Sequence, residues 1–105
     1  MNDAQEPAPL ACNLSALTDP ARYRTLLEQL RSALSGSAEL PDGYSYSVQG
    51  ELLSLVELGE WISLERFCCP FLNFELSVSG TESLYWLTLT GPEGVKPILE
   101  KEFQA

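Results

Sequence analysis

Pro70 fixes the end of a helix in the middle of this chain. It follows two adjacent cysteines in the run Glu65-Arg66-Phe67-Cys68-Cys69-Pro70-Phe71. Proline donates no backbone hydrogen bond and disfavours helical geometry at the residue before it. Because apolar residues recur at helical spacing over 55–67, the sequence predicts a helix that ends at or just before Cys68 and Cys69.

The other segments alternate between helical and strand patterns, with turns at glycine and proline clusters. Helices are predicted from the cap at Thr18-Asp19-Pro20 to Gly36, from Ser54 to the cysteines, and over 95–103, and strands over 44–48, 74–78 and 84–90. This order, α-β-α-β-β-α, predicts an α+β fold, a two-layer α/β sandwich with a three-stranded sheet and helices on one face. The first two strands are expected to run in the same direction, with the third and most apolar strand in the centre. We expect residues 1–11 to form a flexible N-terminal arm and residues 12–105 a single α/β domain.

The charge of the chain restricts its partners. Fifteen acidic and six basic residues give a net charge of −9, which opposes binding to nucleic acid or to an anionic membrane. The N-terminal residues lack the positive charge and apolar run of a secretory signal. These features predict a cytoplasmic protein, in which thiols are kept reduced.

Three cysteines and no histidine limit the chemistry to thiols assisted by carboxylates, lysine or arginine. Thiolates select soft ions such as zinc, copper(I), mercury or arsenite. If the first two helices pack antiparallel, the start of one meets the end of the other, and Cys12 approaches Cys68 and Cys69. The sequence therefore predicts a metal site formed by these three sulfurs, with Glu65 and Arg66 as surrounding partners that orient it. It assigns no catalytic residue. Glu65 lies on the helical stripe between Ile62 and Cys69, so we expect it to be buried and paired with Arg66, Arg22 or a backbone donor.

Two alternatives use the same residues differently. In the first, Cys12 and Cys68 form a reversible disulfide in a thiol redox protein; pairing between Cys68 and Cys69 would close a strained small ring. In the second, the cysteines only pack as small hydrophobic residues. The chain is then a non-enzymatic interaction domain or homodimer that uses the exposed sheet face or an edge strand.

Three segments together resemble a group of small uncharacterised bacterial proteins with an E-R-x-C-C-P-F motif. They are Cys12-Asn13-Leu14-Ser15-Ala16-Leu17, the run from Glu65 to Phe74, and Leu87-Thr88-Leu89-Thr90-Gly91-Pro92-Glu93-Gly94. The resemblance covers most of the chain and has no established activity attached to it. It implies that Cys12 and the adjacent cysteine pair belong to one pattern.

Overall fold

A computed structural model describes residues 13–103 of the chain. After a short 3-10 helix at Leu14–Ala16, the elements are α1 (Pro20–Ala33), β1 (Leu34–Leu40), β2 (Gly43–Gln49), α2 (Leu55–Cys68), β3 (Asn73–Val78), β4 (Leu84–Thr90) and α3 (Val95–Phe103). The predicted α+β class is confirmed, and the order is α-β-β-α-β-β-α. Within 13–103, no helix has the length and apolar character needed to cross a membrane.

The sheet has four strands in the order β1-β2-β4-β3, and every neighbouring pair is antiparallel. Because β2 and β3 both run antiparallel to β4, they point in the same direction, as the sequence predicts. The predicted central position of the third strand is also confirmed, since that strand is β4. The chain passes from β2 through α2 to β3, which puts α2 over the sheet.

The prediction of a three-stranded sheet is wrong, because residues 34–36 of β1 fall within the predicted first helix and residues 37–40 within no predicted element. Leu34 continues the apolar spacing of α1, yet its backbone is already extended and pairs with Val48 of β2. The helix ends at Ala33, before the predicted end at Gly36. Most of β1 is exposed and carries small polar residues, so it lacks the alternating apolar pattern that indicates a strand.

Local capping sets where the first two helices begin. The side chain of Asp19 accepts a hydrogen bond from the backbone of Arg22, with Pro20 in the first turn. Ser54 and Glu57 form a reciprocal capping box at the start of α2. Both starts agree with the sequence, because these contacts satisfy backbone donors that a helix leaves free at its N-terminus.

The core lies between the helices and one face of the sheet. Val48, Leu87 and Leu89 point from the two inner strands into this layer and are fully buried. Their helical neighbours include Leu26, Leu30, Leu58 and Trp61, which have the same burial. The opposite sheet face carries Trp86, which is 43% exposed. The core therefore fixes α2 and its C-terminal end against the sheet.

Candidate metal centre

Three possible metal ligands meet at the C-terminal end of α2. The side chains of Glu65, Cys68 and Cys69 are fully buried. One ligand atom from each lies within 4.8 Å of the others. The two sulfurs are 3.7 Å apart, and Cys68 Sγ lies 3.4 Å from Glu65 Oε1. A carboxylate with two thiolates is a ligand set that binds zinc and softer ions.

The end of the helix produces this arrangement. The last turn is closed by a hydrogen bond of 2.7 Å from the backbone N–H of Cys69 to the carbonyl of Glu65. Cys69 has already left helical geometry, with φ −129° and ψ 69°, as expected for a residue before Pro70. Glu65 and Cys68 lie one turn apart on the buried side of α2, and the change of backbone direction keeps Cys69 on that side.

Tyr23 of α1 is a partner of Glu65 that the sequence did not indicate. Its hydroxyl donates a buried hydrogen bond of 2.6 Å to Glu65 Oε1. The spacing of Tyr23 from Leu26 and Leu30 indicates only a place on the apolar stripe of α1, where its ring is buried. The hydroxyl of a buried tyrosine usually has a hydrogen-bond partner. The sequence could therefore have indicated that Tyr23 needs a partner, but not that the partner is Glu65. The contact ties α1 directly to the candidate centre.

Glu102 of α3 supplies a second carboxyl. The carboxyl groups of Glu65 and Glu102 lie close enough to shift each other's pKa. Two ionised carboxylates cannot hydrogen-bond each other, because each only accepts hydrogen bonds, whereas a protonated carboxyl can donate to an ionised one. A proton held between them also satisfies Glu65 Oε2, which is buried and has no donor if both groups are charged. In the sequence, Glu102 is an acidic residue close to the apolar stripe of α3, and this position was the indication that it could be partly buried.

Burial keeps this cluster protonated. It raises the pKa of the Glu65 carboxyl, and hydrogen bonds from neighbouring side chains offset the rise only in part. Burial and the neighbouring Glu65 raise the pKa of Glu102 to about 8. Burial, and then the charge of Glu65, raise the pKa of the Cys68 thiol to about 12. At neutral pH the two carboxyls share at least one proton and Cys68 is a thiol.

The two adjacent cysteines are in different chemical states. Cys68 is a free thiol, whereas Cys69 is disulfide-bonded. The redox alternative drawn from the sequence placed Cys68 in the exchanging pair, but the cysteine bonded in the structure is Cys69. A disulfide sulfur is not a thiolate donor, so Cys69 can bind an ion only after reduction.

The other residues predicted for the site lie elsewhere or outside the described part of the chain. Cys12 lies outside the described residues, so its approach to the pair stays a prediction. Arg66 lies on the exposed side of α2, and the partners of Glu65 are Tyr23 and Glu102. The predicted burial of Glu65 is confirmed. Arg22, also considered as its partner, forms an ion pair of 2.8 Å with Glu60.

The Tyr23→Phe variant should reveal how strongly Glu65 depends on the hydroxyl. Loss of a donor to a buried carboxyl is expected to lower the free energy of unfolding by about 1–3 kcal/mol. Urea denaturation at pH 7 measures the change. The matched variant Tyr85→Phe, on the sheet and only partly buried, is expected to change stability by less than about 0.5 kcal/mol. Equal effects of the two substitutions would contradict a special role for the Tyr23 hydroxyl.

The chain was also compared with known proteins. It matches no family model, no curated protein and no solved structure.

Proposed function

We propose that the reduced protein binds a soft metal ion or metalloid at the end of α2. The ligands would be the sulfurs of Cys12, Cys68 and Cys69, with Glu65 beside them. One observation carries this proposal: the ligand atoms of Glu65, Cys68 and Cys69 are buried within 4.8 Å of one another. A separation of this size can close onto one ion, because metal–sulfur bonds are about 2.3 Å long.

Cys12 is included because of its neighbour in the chain. The backbone N–H of Asn13 donates a hydrogen bond of 2.7 Å to the carbonyl of Cys68. This contact puts Asn13 beside the cysteine pair, and Cys12 is joined to Asn13 by one peptide bond. This supports a third sulfur ligand without requiring movement of α2.

The composition of the cluster favours a soft ion over a hard one. Calcium and magnesium prefer six or more oxygen ligands, whereas this cluster offers two sulfurs and one carboxyl group. Its burial resembles that of structural zinc sites, in which protein ligands fill every position. Glu102 and Tyr23 would contact Glu65 and fix its orientation.

Binding must displace protons. Cys68 is protonated at neutral pH and coordinates only as a thiolate, so the ion replaces the thiol proton. Glu65 also shares a proton with Glu102 in the ion-free protein. Affinity is therefore expected to increase as the pH rises from 6 to 8, and protons should appear in solution when the ion binds.

Titration calorimetry of the fully reduced protein tests this function. Zn(II) or arsenite is expected to bind with proton release, detected as a heat that varies with the ionisation enthalpy of the buffer. The triple variant Cys12→Ser/Cys68→Ser/Cys69→Ser should bind at least about 100-fold more weakly, equivalent to about 2.7 kcal/mol. Circular dichroism should show that the triple variant remains folded, because the core is formed mainly by leucines on the helices and strands.

A matched control separates the site from an ordinary thiol. Adding Ser63→Cys to the triple variant puts one cysteine on the exposed side of α2. This protein should bind as weakly as the triple variant. If the parent binds no better than this control, its sulfurs are packing groups and the proposed function is rejected.

The disulfide at Cys69 favours a second candidate, thiol–disulfide exchange. A third sulfur, Cys68 Sγ, lies 3.7 Å from that of Cys69. However, both cysteines are fully buried, which hinders a protein substrate from reaching them. Catalysed reduction of a small disulfide by the parent, but not by Cys69→Ser, would favour this candidate over ion binding.

A further inference from the structure

We propose that Cys69 forms its disulfide with Cys12 and that this bond switches the soft-ion site off. This inference rests on the proposed function and concerns how ion binding is regulated. Two observations support it: Cys68 is a free thiol while Cys69 is disulfide-bonded, and Asn13 contacts the backbone of Cys68.

The partner of Cys69 follows first from the sulfurs themselves. Cys68 is free, and its sulfur is 3.7 Å from that of Cys69, much longer than a disulfide bond of about 2.0 Å. The chain contains three cysteines. An intramolecular disulfide at Cys69 therefore requires Cys12.

The fold supports this pairing independently. The hydrogen bond from Asn13 N–H to the Cys68 carbonyl fixes the backbone beside the end of α2. Leu17, four residues further on, is buried in the core, so this segment is held at both places. Disulfides need Cα atoms about 4.4–6.8 Å apart, and the described contact brings Asn13, the residue that follows Cys12 in the chain, to the backbone of Cys68.

Disulfide formation removes two of the three sulfur ligands. Cys12 and Cys69 each lose an S–H bond, and one S–S bond forms between them. The two electrons pass to a low-molecular-weight disulfide such as oxidised glutathione, whose own S–S bond breaks, and the two protons leave on the two thiols it yields. Reduction by two small thiols reverses the reaction. Cys68 keeps its proton throughout, and with Glu65 alone it provides too few ligands for a closed site.

A hydrogen bond to Glu65 explains why Cys68 stays outside the exchange. Only a thiolate attacks a disulfide, and the Cys68 thiol donates a hydrogen bond of 3.4 Å to Glu65 Oε1. In the cytoplasmic setting expected from the sequence, disulfides are usually transient or redox-sensing. A reversible bond beside a protected thiol fits that role.

Thiol counting tests the pairing. After oxidation by glutathione disulfide and denaturation, the parent should show one thiol, and after reduction three. The oxidised Cys68→Ser variant should show none, whereas Cys69→Ser should keep both of its thiols under the same treatment. Loss of thiols in Cys69→Ser at the parental rate, or a disulfide-linked dimer on a non-reducing gel, would overturn the pairing.

Zn(II) titration of the two redox forms tests the switch. The oxidised parent should bind at least about 100-fold more weakly than the reduced parent, and Cys12→Ser should bind equally under both conditions. Equal, tight binding by both forms of the parent would overturn the switch and leave the binding function intact. If the reduced parent binds neither Zn(II) nor arsenite, the proposed function fails and the switch fails with it, even though thiol counting can still establish the disulfide.

Discussion

The Trp61→Ala variant is expected to lose about 3–5 kcal/mol of its free energy of unfolding. Trp61 is fully buried in α2. Its ring makes edge-to-face contacts with Phe74 of β3 at 6.2 Å and with Phe103 of α3 at 6.0 Å. Alanine would leave a large cavity where α2, the sheet and α3 meet, and such a cavity collapses only in part. Urea denaturation followed by circular dichroism measures the loss.

The second tryptophan provides the matched control. Trp86 lies on the open face of β4 and is 43% exposed. The Trp86→Ala variant is expected to lose less than about 1 kcal/mol. Similar losses for the two variants would contradict the position assigned to the core. Trp61 lies one turn before Glu65 and contacts Phe103, which follows Glu102 in α3. Its replacement should therefore also reduce the order of the candidate centre.

The stability of the ion-free protein should fall as the pH rises from about 5 to 8. The pKa of Glu102 is raised to about 8, and burial also raises the pKa of Glu65. In the unfolded chain, carboxyls lose their protons near pH 4.5, whereas the folded pair keeps a proton in this range. Unfolding then releases a proton, so an increase in pH favours the unfolded state. One proton over this range corresponds to about 2 kcal/mol, after allowance for the partial exposure of Glu102.

Two variants separate this effect from the general charge of the protein. Glu102→Gln removes one carboxyl, and its free energy of unfolding should change much less with pH. Glu93→Gln removes an exposed carboxyl in the turn before α3 and should keep the parental slope. Urea denaturation at intervals of half a pH unit provides the data. A parental stability that rises from pH 5 to 8 would mean that the two carboxyls do not share a proton.

Features set by neighbouring residues could be predicted from the sequence. The start of α1 depends on Asp19 and Pro20, and that of α2 on Ser54 and Glu57, within one turn in each case. The central position of β4 followed from its apolar composition. In contrast, β1 depends on its pairing with β2, and its own residues show no strand pattern. A strand stabilised mainly by its neighbour has no strong signal in its own sequence.

The candidate centre also has some features that could be predicted from the sequence and others that could not. The burial of Glu65 and its proximity to Cys68 follow from helical spacing, so both could be predicted. Its contacts with Tyr23 and Glu102 come from helices distant in sequence and required the tertiary structure. The different states of Cys68 and Cys69 also required the tertiary structure, because the two residues are adjacent and identical in the sequence.

The three-helix origin of the centre has a consequence for the order in which it forms during protein synthesis. Tyr23 leaves the ribosome early, Glu65 follows after β1 and β2, and Glu102 comes only with α3. A nascent chain that has completed α2 but not α3 would bury Glu65 without the group that shares its proton, which is costly. The end of α2 should therefore become fully ordered only after α3 has emerged and packed. Until then, we expect the adjacent cysteines to be more accessible to oxidants and metal ions than they are in the folded protein, where both are buried.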